Sequence, residues 1–171
     1  YEAGILMSKS WNHLVAGDIV DVVSPGFAST PEQVEAARKF LLKWDLRPRI
    51  PKKLIQKHFL HANSDDKRFG FLREALAAED SKIIWCLRGG YGSNRLLPLL
   101  DKIKKPRRQK LLVGISDITS LHVYFEQKWG WSTLHASLLD RMGSGKLPAK
   151  IEKETMDLLF GETEVVDFNK L

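Results

Sequence analysis

Residues 83–125 decide the fold. They read IIWCLRGGYGSNRLLPLL over 83–100, a basic loop over 101–110, and LLVGISDITSLHVYF over 111–125. Two apolar runs, 83–87 and 111–115, each stop abruptly at small or polar residues, and a helix-like run follows each. A short apolar run bounded by turn signals is what a strand buried on both faces looks like. In an open parallel sheet, ligands bind beyond the carboxyl ends of the strands. The first run delivers Arg88-Gly89-Gly90-Tyr91-Gly92 to that edge, and the second delivers Gly114-Ile115-Ser116-Asp117. A serine at a strand-to-helix turn displays its hydroxyl where helix amides are free. Beside a glycine-rich turn with further free amides, it has the parts of a nucleophile and an oxyanion site.

The same alternation runs outward in both directions. Residues 19–23 (IVDVV) read as a first strand that stops at Ser24-Pro25-Gly26. Thr30-Pro31-Glu32-Gln33 opens a helix with a hydroxyl cap, Pro at the first position and Gln closing a capping box. Residues 46–50 form a weak second strand, which Pro48 places at an edge. Ser64-Asp65-Asp66 starts a second helix, with acids complementing the dipole. Ser93 is expected to cap a helix through 95–100 that Pro98 shortens. A helix over 117–128 follows Ser116, with Ile118, Leu121, Val123 and Phe125 as packing residues. Strands at 131–135 and 164–168 flank a glycine-bearing loop at 142–147 and a helix over 151–160 stopped by Gly161. This pattern predicts an α/β fold: a doubly wound, mostly parallel sheet flanked by helices, Rossmann-like in class. The expected organisation is an extension over 1–13, with residues before Met7 as an appended stretch, one domain over 14–161, and the start of a linker over 162–171.

Composition narrows the function. The 171 residues are 43% hydrophobic, enough for a core, and carry a formal net charge of +6 from 27 Lys+Arg against 21 Asp+Glu. That charge is too dispersed to indicate a nucleic-acid partner. The densest basic run, 102–110, reads as a solvated loop. No apolar run approaches a membrane span. The lone Cys86, inside a predicted strand, fits core packing in a reducing compartment. His58 and His61, three apart with no cysteine or carboxylate companion, make a poor metal signal and read as surface histidines.

On spacing alone, Ser116 is either a helix N-cap or a nucleophile. A nucleophile needs a base within reach and amides aimed at the oxyanion. The Asp117 amide and a second from Gly90 supply the latter. His122 lies six residues on and points away from the hydroxyl on a helix. His135 ends the neighbouring strand at the same edge, with no carboxylate marked to orient it. The Arg88–Arg95 loop lacks the spacings of dinucleotide or P-loop sites. A non-catalytic module binding a small ligand or phosphate therefore stays open as an alternative.

The segments Arg88-Gly-Gly-Tyr-Gly-Ser-Asn-Arg-Leu-Leu-Pro98 and Gly114-Ile-Ser-Asp-Ile-Thr-Ser-Leu-His122 resemble the LD-carboxypeptidase family of serine peptidases. Ala16-Gly-Asp-Ile-Val-Asp-Val-Val-Ser-Pro25 and His61-Ala-Asn-Ser-Asp-Asp-Lys-Arg68 extend the likeness, in order, over residues 14–161. The resemblance implies that Ser116 is the nucleophile, with the Gly90 and Asp117 amides as oxyanion hole. Arg88, Gly89, Tyr91, Ser24 and His135 would belong to the substrate pocket. His135-Ala136-Ser137 departs from the His-Gly-Pro often found in the family. The resemblance further implies a cytoplasmic enzyme of murein tetrapeptide recycling that takes a peptide or muropeptide substrate. It implies an enzyme acting without a metal, cofactor, nucleic acid or membrane, and a homodimer when full-length. An immunity peptidase of the microcin C type is the alternative within the family. Members are about twice this long and carry the Glu and His partners in a carboxyl-terminal domain. The chain is thus expected to be the amino-terminal half, inactive alone, with exposed apolar residues at Trp129, Trp131 and after Gly161 where the other half would dock.

Overall fold

The structure is a computed structural model that describes residues 11–56 and 58–164. Five strands form one sheet: β1 (Ile19–Val23), β2 (Arg47–Arg49), β3 (Ser81–Cys86), β4 (Leu111–Gly114) and β5 (Thr133–His135). Their order is β2-β1-β3-β4-β5 and every neighbouring pair is parallel. This is the doubly wound architecture expected from the alternation. The winding reverses between β1 and β3, which opens a crevice at their carboxyl ends. Val23 pairs with Cys86 and Gly114 with His135, so the turns after β1, β3, β4 and β5 gather at one edge.

The central strand explains its own sequence. Ile83 and Trp85 of β3, with Leu87 just beyond it, pack into one apolar cluster, with Phe40 and Leu41 of α1 (Pro31–Lys43) and Met156 and Leu159 of α6 (Ala149–Phe160). Ile84 and Cys86 face a second cluster, with Leu72 and Leu76 of α2 (Asp65–Ala77) and Leu121 of α4 (Thr119–Tyr124). A strand covered on both faces has no polar alternation to show. Complete burial of one such side chain stabilises by about 1.5–3 kcal/mol.

The α1 capping box is closed: Gln33 N donates to Thr30 Oγ1 (3.3 Å) and Thr30 N to Gln33 Oε1 (2.9 Å). Several expectations are corrected. Ser64 makes no side-chain cap on α2. Ser93 opens a 3₁₀ turn (Ser93–Leu96) that runs into the short α3 (Leu97–Leu100), and its hydroxyl serves the loop rather than the helix. The single helix expected after Ser116 is three: a 3₁₀ turn (Ser116–Ile118), α4, and a π-helical turn (Phe125–Trp129) closed by Gly130 at positive φ. Val123 faces solvent. Residues 142–147 are not wholly a loop, because α5 (Leu139–Gly143) takes their start. The basic run is not wholly solvated either. Lys110 is buried and donates to Asp21 Oδ2 (3.1 Å) and Ser81 Oγ (2.5 Å). Trp129 and Trp131 are buried against Phe125, whose ring stacks on Trp129 at 4.7 Å. The extension before Met7, the strand expected over 164–168 apart from Glu164, and most of the tail after Gly161 lie outside the described residues.

Candidate active site

β4 ends at Gly114, where an added Cβ would lie 2.9 Å from Ile118, so only glycine lets the chain fold back this tightly. Ser116 follows with φ +66, in the left-handed region. An L-residue there costs roughly 1–2 kcal/mol. The result is a sharp strand-to-helix turn with an exposed serine at its tip, the backbone shape that nucleophile elbows take.

The glycine-rich turn after β3 lies against this elbow. A Cβ on Gly89 would sit 3.4 Å from Ile115 O and 3.5 Å from Ser116 Cβ. Gly89 O accepts from Phe27 N (2.8 Å), on the β1 side. No described peptide is cis. The planar trans unit therefore turns Gly90 N–H away from Phe27 N. Gly90 itself has φ +99, and a Cβ on it would strike the Phe27 ring at 2.3 Å.

Two side chains lock these turns together. Asp117 accepts from Gly92 N (3.2 Å) and Ser93 N (2.9 Å), and the Ser93 hydroxyl donates to Asp117 O. Asp117 was expected to offer only its amide. Arg68 is fully buried and donates to Gly92 O (2.9 Å), Asn63 O (3.1 Å), Pro25 O and the Asp65 carboxylate. Sequence reasoning assigned Arg68 no role. The signal available was an arginine on the inner face of an otherwise apolar helix side.

Above Ser116 opens a cavity of about 590 Å³ lined by Phe27, Arg88, Gly89, Gly90, Ser116 and Asp140, among others. Arg88 donates to Ala28 O (3.0 Å), which holds it against the wall. Asp140 was not anticipated; burial pushes its carboxyl pKa up. Ser24, Tyr91 and His135 lie outside the lining. Ser24 is buried and donates to Phe27 O (3.3 Å). Tyr91 is exposed, its ring 6.0 Å from that of His61. His135 is exposed, 5.8 Å from the His122 ring. His122 is buried with Nε2 2.9 Å from Gly114 O, and burial lowers its pKa. Among the described residues, no histidine lines the cavity. Cys86 is buried in the sheet, and desolvation raises its thiol pKa far above neutral. No cluster of three potential metal ligands occurs among the described residues. The arrangement offers a displayed hydroxyl, amides beside it and a cavity above, which suits attack on a carbonyl once a base is supplied.

Residues 20–136 match the sequence model of the LD-carboxypeptidase N-terminal domain. A Rickettsia conorii protein named as a carboxypeptidase is 53% identical over 76 residues, 44% of this chain and 24% of its own length. A Bacillus subtilis protein named as a murein peptide carboxypeptidase is 30% identical over 148 residues, 86% of this chain and 46% of its own length. The solved muramoyltetrapeptide carboxypeptidase of Oxalobacter formigenes has the same fold, with a TM-score of 0.71 at 25% identity over 81% of this chain and 47% of that one. The chain spans less than half the length of each of these relatives.

Proposed function

Because the chain belongs to the LD-carboxypeptidase family, through that family's amino-terminal domain, we propose that it is the nucleophile half of a serine carboxypeptidase. The reaction is removal of a terminal D-amino acid from murein tetrapeptides during cytoplasmic cell-wall recycling. The observation that carries this reading is Ser116 at φ +66, displayed at the tip of the β4 turn against the Gly89–Gly90 turn. The names of the relatives support the murein substrate. No described helix is long and apolar enough to cross a membrane.

Ser116 Oγ attacks the carbonyl of the residue before the terminal D-amino acid. The Gly90 and Asp117 amides hold the oxyanion of the tetrahedral intermediate. Collapse expels the D-amino acid with a proton on its amine, and water then releases the acyl group from the serine. The proton from Oγ goes to a histidine oriented by a glutamate, both from the part of the relatives that this chain does not span.

A fluorophosphonate probe on the full-length gene product, followed by peptide mass spectrometry, tests the assignment. The expected adduct is on the peptide containing Ser116 and is lost in Ser116→Ala. An adduct on another serine, unaffected by Ser116→Ala, would remove Ser116 from the reaction.

A further inference from the structure

The edge of the sheet opposite Ser116 carries a feature that the serine chemistry does not use. Residues 101–110 lead into β4 and residues 78–80 into β3, and these strands are parallel, so both segments lie at the amino edge. A groove of about 260 Å³ runs between them and α2. Its floor is aliphatic, with Leu76, Ala77, Ile103 and Pro106. Its rim is basic: Arg73, Lys104, Arg107 and Arg108 stand against one acid, Glu79.

The fold holds this rim in place. Ile103 packs on the second apolar cluster, Lys105 Nζ donates to Trp129 O, Arg108 donates to Glu79 O, and Lys110 is buried at the end of the loop. Lys102, Lys104, Lys105, Arg107 and Arg108 are all exposed. Among the described residues none of these, nor Arg73, forms an ion pair. Asp101, the acid in the loop, accepts from the Tyr124 hydroxyl (3.0 Å). Cations fixed together without counter-charge make a local positive potential that the dispersed remainder of the chain's charge does not. An aliphatic floor under a basic rim matches the boundary between lipid phosphates and acyl chains. A nucleic acid is the other polyanion to consider, but no aromatic ring lines the groove for a base to stack on.

We propose that this face docks on a membrane surface containing anionic phospholipid, with the Ser116 edge turned to solvent. That goes against the expectation of no membrane partner, which the resemblance alone implied. The 171-residue chain is sedimented with vesicles of phosphatidylcholine alone or with about one third phosphatidylglycerol. It should bind the mixed vesicles roughly tenfold more tightly or better, and less tightly as salt is raised. Each cation at such a surface strengthens binding about fivefold, so Lys104→Glu with Arg107→Glu should weaken it roughly thirtyfold or more. Lys150→Glu with Lys153→Glu, on α6, changes the net charge equally and should leave most of the binding. A nitroxide-bearing lipid in bicelles of the mixed composition should broaden the Ile103 methyl signals and spare those of Ile115, beside Ser116. Equal binding of the two vesicles, binding of neither, equal loss in both double variants, or broadening at Ile115 rather than Ile103 overturns the assignment. Tighter binding of a short DNA duplex than of the mixed vesicles also overturns it and gives the face to nucleic acid. Hydrolysis is not read in this experiment, so the role of Ser116 is decided separately.

Discussion

Ser116 occupies left-handed backbone space, which costs a non-glycine residue conformational energy. Glycine has no such cost. Ser116→Gly should therefore be more stable than Ser116→Ala by about 1 kcal/mol, read from urea unfolding midpoints. Equal midpoints would mean the turn is unstrained. The sequence showed this turn through its apolar run and its Gly-Ile-Ser-Asp ending, but not its backbone angle, which depends on Ile118 packing over Gly114. Nor did it show the second duty of Asp117. A carboxylate after a serine reads as a helix-dipole partner, and its actual partners, Gly92 and Ser93, are 25 and 24 residues away. Asp140 was invisible for the same reason, since its place in the cavity wall is a property of the assembled fold.

Among the elements, the glycine-rich loop depends on α2. Arg68 bridges α2 to the turns after β1 and β3 through Pro25 O and Gly92 O. Arg68→Met leaves those carbonyls and Asp65 without their buried donor, and should cost about 3–5 kcal/mol. Calorimetry or chemical unfolding would measure it, and a change below 1 kcal/mol would contradict the bridging role. Asp65 gives a pH signature. Hydrogen bonds from Arg95 first and then Arg68 hold its carboxyl below the ordinary range. Its contribution is present above its unfolded value, about 3.9, and is lost as pH falls through the lower folded value. The stability gap between wild type and Asp65→Asn should be open at neutral pH and narrow on acidification below about pH 4. A gap constant with pH would show that the ion pairs contribute nothing. Strand positions were legible because apolar runs report burial directly. The helix after Ser116 was not, because its 3₁₀ and π turns answer to tertiary packing that a 3.6-residue period does not encode.

For the whole molecule, alternation of apolar runs and capped helices was enough to predict a doubly wound parallel sheet. Trp129 and Trp131 were misjudged as a docking face because large aromatics near a chain's later turns look the same buried or exposed. They complete an aromatic stack with Phe125. The described apolar side chains that do meet solvent include Phe59, Leu60, Tyr91 and Ile115, of which Tyr91 and Ile115 stand on the turns that frame Ser116.

Release of free D-alanine from a murein tetrapeptide tests the central claim most directly, with this chain alone and with the remaining portion of a full-length relative added. Removal of a triad's base typically costs about three powers of ten or more. The account predicts negligible release by the chain alone, recovery on addition of the second portion, and no recovery when the chain carries Ser116→Ala. Brisk release by the chain alone would place a base within it, with His135 the first to examine. Full recovery with Ser116→Ala would contradict the nucleophile assignment itself.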